Sequence, residues 1–310
     1  MGVGCPAVLA CKDGFGSNQC CLFLRELSAP RHTLGHVGTV AMIVIFVVAG
    51  GLLGLFPPVM PALRAYLCGQ LAADEEGIFS ERDMDAGYSQ SSSIRIDLDD
   101  IDGYESGGAY ELNGDLYIAT AGTFVLNGTL TDHQIIVDAS DAKVQIVLDD
   151  VTITHSSLPC IYVKDADKLF LTLEEGSTNI LSSYKLDEEA ANEADADAAV
   201  FSTCDLTVNG SGDLIITAEG GHGIKSRDDL VFTGGNIKVT ADLNALVGRD
   251  SVRICDGSFD LTAGNDAIKA NNDSNAKKGY IVITGGDLTI NSEHDAIQAV
   301  TYIDIRGGNF

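Results

Sequence analysis

Five phrases recur in the second half of the chain, each a glycine, a polar residue and an apolar residue opening a strand-like run. They are Gly212-Asp213-Leu214, Gly235-Asn236-Ile237, Gly257-Ser258-Phe259, Gly286-Asp287-Leu288 and Gly308-Asn309-Phe310. The steps are 23, 22, 29 and 22 residues, and the insertion NNDSNAKKG (271–279) accounts for the long one. Between these marks lie DLTV, DLVF, SVRI, YIVI and YIDI, apolar at alternate positions: Leu206/Val208, Leu230/Phe232, Val252/Ile254, Ile281/Ile283 and Ile303/Ile305. Alternation turns those side chains to one face of a strand. A repeat of about 22 residues has room for three short strands and three turns, whereas a propeller blade takes about 40. The leucine-rich signature is absent. The expected fold is therefore all-β, a single-stranded parallel β-helix whose coils stack at ~4.8 Å and whose inward rows merge into one core.

Aligning the coils on an inward aliphatic gives Ile161, Val200, Ile224, Leu246, Ile268 and Ile297, each preceded by a small residue: Cys160, Ala199, Gly223, Ala245, Ala267 and Ala296. Just before these run polar residues: Asp242, Asn244, Asn265, Asp266 and Asp295. A second polar column follows the strand and includes Asp228 and Asp250. Stacking brings equivalent carboxylates to about 5 Å, where two charges repel by roughly 3–4 kcal/mol at an effective dielectric of 20. Ca²⁺ between coils would relieve this, because it takes six to eight oxygens at about 2.3–2.6 Å. The competing reading is a turn ladder in which Asn and Asp cap backbone groups.

Charge narrows the partners. The formal charge is −26, and residues 71–310 hold 15 Lys/Arg against 43 Asp/Glu. Such a body repels nucleic acid. Five of eight cysteines precede residue 70, and no histidine completes a zinc spacing with them. Cys160, Cys204 and Cys255 read as small packed side chains. Val37 to Leu63 carries no charge, follows Arg25 and Arg31, and precedes an acidic stretch. It is expected to cross a membrane with the C-terminal body outside, as a retained anchor or a signal segment cut near QLAA (70–73). The chain thus divides into a cytoplasmic segment (1–36), an anchor or signal helix (37–63), an acidic flexible linker (64–108) and the β-helix (109–310). The β-helix stops inside a strand phrase and reads as truncated. No protein partner is expected.

GTFVLNGTLTDHQIIVD (122–138), the coils of 143–183, DLTVNGSGDLIITAEGGHGIKSRDDLVFTGGNIKVTA and AGNDAIKANND together resemble the pectate-lyase-like, carbohydrate-binding family of bacterial cell-surface β-helix proteins. The resemblance spans about 109–310. It implies a right-handed coil, Ca²⁺ along the coils, and a cellulose-like or polygalacturonate-like polysaccharide as partner. The family's Asp-Asp-Gly-Ile phrase stands here as Asn265-Asp266-Ala267-Ile268, His294-Asp295-Ala296-Ile297 and Leu243-Asn244-Ala245-Leu246, with less negative charge and so fewer or weaker ion sites. Lys225, Arg249 and Lys269 follow the inward aliphatic in successive coils, Arg249 displaced by two positions, and are candidate glycan contacts. The resulting expectation is a calcium-dependent, non-catalytic carbohydrate-binding protein on the cell surface. The alternatives are a polysaccharide lyase with Lys269 as base, which would need a positioned proton acceptor, or a structural stalk.

Overall fold

The computed structural model describes residues 77–185 and 196–310, which form a single-stranded parallel β-helix. The expected membrane or signal helix lies outside the described residues. Each coil visits three faces. Face 1 carries Ile94–Asp97, Lys168–Leu173, Asp205–Gly210, Asp229–Phe232, Ser251–Ile254, Tyr280–Ile283 and Ile303–Ile305. Face 2 carries Thr178–Ser183, Asp213–Ala218, Asn236–Ala241, Ser258–Ala263 and Asp287–Ser292. Face 3 carries Asp115–Ile118, Ile135–Asp138, Ile161–Asp165, Ala198–Ser202, His222–Ser226, Leu246–Gly248, Ile268–Ala270 and Ile297–Ala299. Faces 1 and 2 are one sheet of 14 strands, because Gly122–Thr131 and Lys143–His155 run through the corner unbroken. Their register slips by a bulge between Leu126 and Gly128, and the bulge bends them.

The recurring glycine that revealed the repeat is this corner in the later coils. Gly235, Gly257, Gly286 and Gly308 have φ of +91°, +124°, +96° and +101°. A Cβ on Gly257 would lie 3.0 Å from the Gly235 carbonyl oxygen of the previous coil. Only glycine combines that dihedral with that approach.

The inward rows fall in the expected register. Phe124, Ile146, Leu171, Val208, Phe232, Ile254 and Ile283 stack coil on coil on face 1. All are fully buried, each contributing roughly 1.5–3 kcal/mol of apolar transfer. Ile161, Val200, Ile224, Leu246, Ile268 and Ile297 pair in the same way on face 3.

Residues 77–108 differ from the expected linker and correct it. Ile94–Asp97 pairs in parallel with Phe124–Asn127 as the first strand, and Ile96, Leu98 and Ile101 are buried over the end of the core. The acids lie outward and act as caps: Asp97 accepts from the Asp99 N–H, and Asp99 accepts from the Thr129 N–H at 3.0 Å. A tight turn through Asn113 and Gly114, both at positive φ, then joins Ala109–Leu112 to the first face 3 strand.

Upstream, residues 77–88 form a strap over the outer side of face 1. It includes the short helix Glu81–Met84 with its capping box. Asp83, 2% exposed, meets Lys168 at 2.7 Å and the Thr207 hydroxyl at 2.6 Å. Burial pushes its pKa up, but those hydrogen bonds outweigh burial and bring it down to about 2. Arg82 stacks 4.5 Å over Phe170, and Arg253 donates to the Ile78 carbonyl.

Candidate functional site

Face 3 turns alternate side chains outward. The outward position one place after the inward aliphatic forms a single row: Tyr117, Ile136, Tyr162, Phe201, Lys225, Val247, Lys269 and Gln298. Tyr110 extends it, stacked on Tyr117 with ring centroids 5.2 Å apart and planes 5° from parallel. Tyr162 lies 6.0 Å from Phe201, and the Lys225 ammonium and Arg227 guanidinium cover the Phe201 ring at 5.8 and 5.5 Å. The row therefore presents half-exposed Tyr117 and Tyr162 and then the spaced lysines, with Ile136, Phe201 and Val247 buried between them. Tyrosine brings an apolar ring and a polar tip, which suits a ligand with apolar faces and hydroxyl edges. Burial raises the pKa of Tyr117 and Tyr162, so both phenols stay protonated donors at neutral pH.

The candidate glycan contacts separate. Lys225 and Lys269 share the row, two coils apart, with Val247 between them. Arg249 lies past the end of its strand, in an exposed turn, and is not in the row. This is the two-position displacement that Arg249 shows in the sequence alignment of the coils. The signal for the tyrosines was present in the same alignment: in IYV and VFS an aromatic residue directly follows the inward aliphatic.

The polar columns are gathered as expected, but their oxygens are engaged. On the column before face 3, the His222 ring nitrogen Nδ1 accepts from the Asn244 N–H at 3.0 Å. Asn244 Oδ1 accepts from the Asp266 N–H at 2.9 Å, and Asp266 Oδ1 from the Asp295 N–H at 3.1 Å. Each side chain thus caps the backbone of the next coil. The second Asp266 oxygen holds Lys269 at 2.8 Å. Asp242 is exposed and accepts from the Gly220 N–H at 2.8 Å, while Asn265 is half-buried and Asp295 exposed.

On the other column, Asp228 and Asp250 face one another and Asn272 donates to Asp250. The insertion of 271–279 folds back so that Lys278 reaches Asp250 and lies 3.9 Å from Asp228. Burial, then the hydrogen bond and charge shared with Asp250, push Asp228 up to about 7. Burial pushes Asp250 up as well, but hydrogen bonds from Asp228, Lys278 and Asn272 prevail and hold it low.

Calcium needs six to eight converging oxygens. Among the described residues, no group of three or more His, Cys, Asp or Glu side chains is arranged to hold a metal. The repulsion that prompted the calcium expectation is met by tethered ammonium groups and by hydrogen bonds. Asp228, Asp250 and Asp266 are already engaged by an ammonium group or by hydrogen bonds, which an ion at those positions would have to displace. Cys160 and Cys204 are buried free thiols, with Cys160 filling its small position as expected. Cys255, also buried, is disulfide-bonded.

Stacked coils and a continuous apolar core define a parallel β-helix. The family of carbohydrate-binding domain-containing proteins matches residues 113–310, and the chain belongs to it. A carbohydrate-binding domain-containing protein from Acetivibrio thermocellus is 34% identical over 176 residues, 56% of this chain and 59% of the relative. The match thus spans about three fifths of that relative's length. A solved structure, described as a polysaccharide lyase-like protein from C. thermocellum in a gadolinium derivative, aligns with a TM-score of 0.61 at 30% identity. It covers 71% of this chain and 99% of that one.

Proposed function

We propose that the chain is a non-catalytic polysaccharide-binding protein, displayed outside the cell, that holds a cellulose-like or polygalacturonate-like glycan along the outward stripe of face 3. The observation that carries this reading is the row itself. Tyr110, Tyr117 and Tyr162 provide amphipathic rings on a rigid sheet, and Lys225 and Lys269 continue it. Membership of the carbohydrate-binding family supports a glycan as the ligand. Display outside the cell rests on the uncharged segment of 37–63 behind Arg25 and Arg31.

Lyase chemistry is less well supported. A general base needs a free lone pair aimed at substrate, whereas the Lys269 amine is hydrogen-bonded to Asp266 at 2.8 Å. A calcium-assisted reading is favoured by the gadolinium derivative of the relative, since gadolinium is a hard cation that prefers oxygen ligands as Ca²⁺ does. Here calcium would have to displace Lys269 or Lys278 from its carboxylates.

The test is a binding assay on cellulose and polygalacturonate, with and without chelator, alongside an absorbance assay for unsaturated product. Chelator-insensitive binding without product is expected. Replacing Tyr117 and Tyr162 together by Ala should weaken it about tenfold, or ~1.4 kcal/mol, with the melting temperature kept. Binding unchanged in that variant removes face 3 as the site. Product formation replaces the reading with a lyase, and loss of binding on chelation replaces it with the calcium-assisted one.

A further inference from the structure

Every lysine on the outward side of face 3 carries its own carboxylate. Lys225 is held by both Asp197 oxygens, at 2.6 and 2.8 Å. Lys269 is held by Asp266 at 2.8 Å, and Lys164 by Asp138 at 2.6 Å. In the two central pairs the carboxylate is the buried partner. Side-chain exposure is 6% for Asp197 against 19% for Lys225, and 6% for Asp266 against 26% for Lys269. In each pair the lysine side chain is the more exposed partner and its counter-charge the more buried one. Each pair shows the ligand hydrogen-bond donors but no net charge.

Both carboxylates are also fixed from behind. Asp266 Oδ1 accepts the Asp295 N–H, and Asp197 lies 3.5 Å from the His222 ring nitrogen Nε2. A lysine without its acid would attract polyanions across the whole row. A lysine with its acid favours uncharged partners, because a uronate carboxylate must first displace the internal one and then meets it as a like charge. The chain's net charge of −26 adds to that exclusion.

We propose that Asp197 and Asp266 are specificity-determining residues: by neutralising Lys225 and Lys269 they restrict the face 3 stripe to neutral polysaccharide and exclude uronate chains. This rests on the reading of face 3 as the glycan site.

The test uses the full chain and two probes, cellohexaose and hexagalacturonate, titrated at low salt. Wild type should bind cellohexaose and bind hexagalacturonate at least tenfold more weakly. Asp197→Asn combined with Asp266→Asn is nearly isosteric and keeps Oδ1 as an acceptor for the coil above. It should gain at least tenfold in hexagalacturonate affinity, lose the gain as salt rises, and leave cellohexaose binding within about twofold. Adding Lys225→Gln and Lys269→Gln should reverse the gain. Circular dichroism confirms the fold of each variant. Wild type that binds neither glycan sinks the reading of the site itself. Wild type that binds cellohexaose, with folded variants that gain no uronate affinity, overturns this inference alone. So does wild type that already prefers hexagalacturonate.

Discussion

At the scale of single residues, a stacked solenoid turns a local preference into a column. An Asn or Asp in a turn ordinarily caps its own backbone. Here His222, Asn244 and Asp266 each cap the coil above instead, because the next coil's N–H is the nearest unpaired donor. Where two acids meet without such donors, protonation is the remedy. Asp228, raised to about 7, holds a proton in the folded state that it loses near pH 4 when unfolded. A group with a raised folded pKa contributes stability that is full below its unfolded pKa and is lost as pH rises through the folded value. Asp228→Asn should therefore match wild type near pH 4 and exceed it at pH 8. The gain should be about 1 kcal/mol, because the half-exposed side chain is partly screened by solvent. Urea denaturation at the two pH values checks this, and equal stability at pH 8 would show the pair already neutralised by Lys278.

At the scale of elements, the strap of 77–88 shows how composition misled. DEEGIFSERDMD reads as acidic and self-repelling. Its buried acid, Asp83, is engaged once face 1 supplies Lys168 and Thr207, and Arg253 holds the Ile78 carbonyl, partners 85 to 175 positions away in the chain. Asp83→Ala leaves the Lys168 ammonium, 12% exposed, without its carboxylate. Removing one partner of a buried pair costs roughly 3–5 kcal/mol, and a drop of that size in unfolding free energy is expected. A loss under 1 kcal/mol would mean that the strap is not docked in solution. The insertion of 271–279 follows the same logic. It looked like an interruption of the repeat, yet it delivers Lys278 to two carboxylates from earlier coils.

At the scale of the molecule, stability is the sum of coil-on-coil interfaces along one core. Phe232 is fully buried and packs edge-on against Phe259 at 5.3 Å. Phe232→Ala should cost about 3–5 kcal/mol in urea unfolding, and a cost below 1 kcal/mol would mean that the ring does not fill the core. The solenoid, its coil length, its inward rows and its corner glycines were legible in the sequence, because period-two alternation and a positive-φ turn are local requirements that recur every 22 residues or so. The candidate site was only half legible. The alignment placed Lys225, Lys269, Asp228, Asp250 and Asp266 in the right columns, and already set Arg249 two positions out of the lysine row. What each column does was decided by tertiary structure. Whether a carboxylate waits for a metal, caps a neighbouring coil or holds a lysine depends on which donor lies within about 3 Å of it. Apart from Lys269, three residues from Asp266, that donor is set by stacking residues 22 to 30 apart, a distance along the chain at which composition and spacing do not say which atom arrives first.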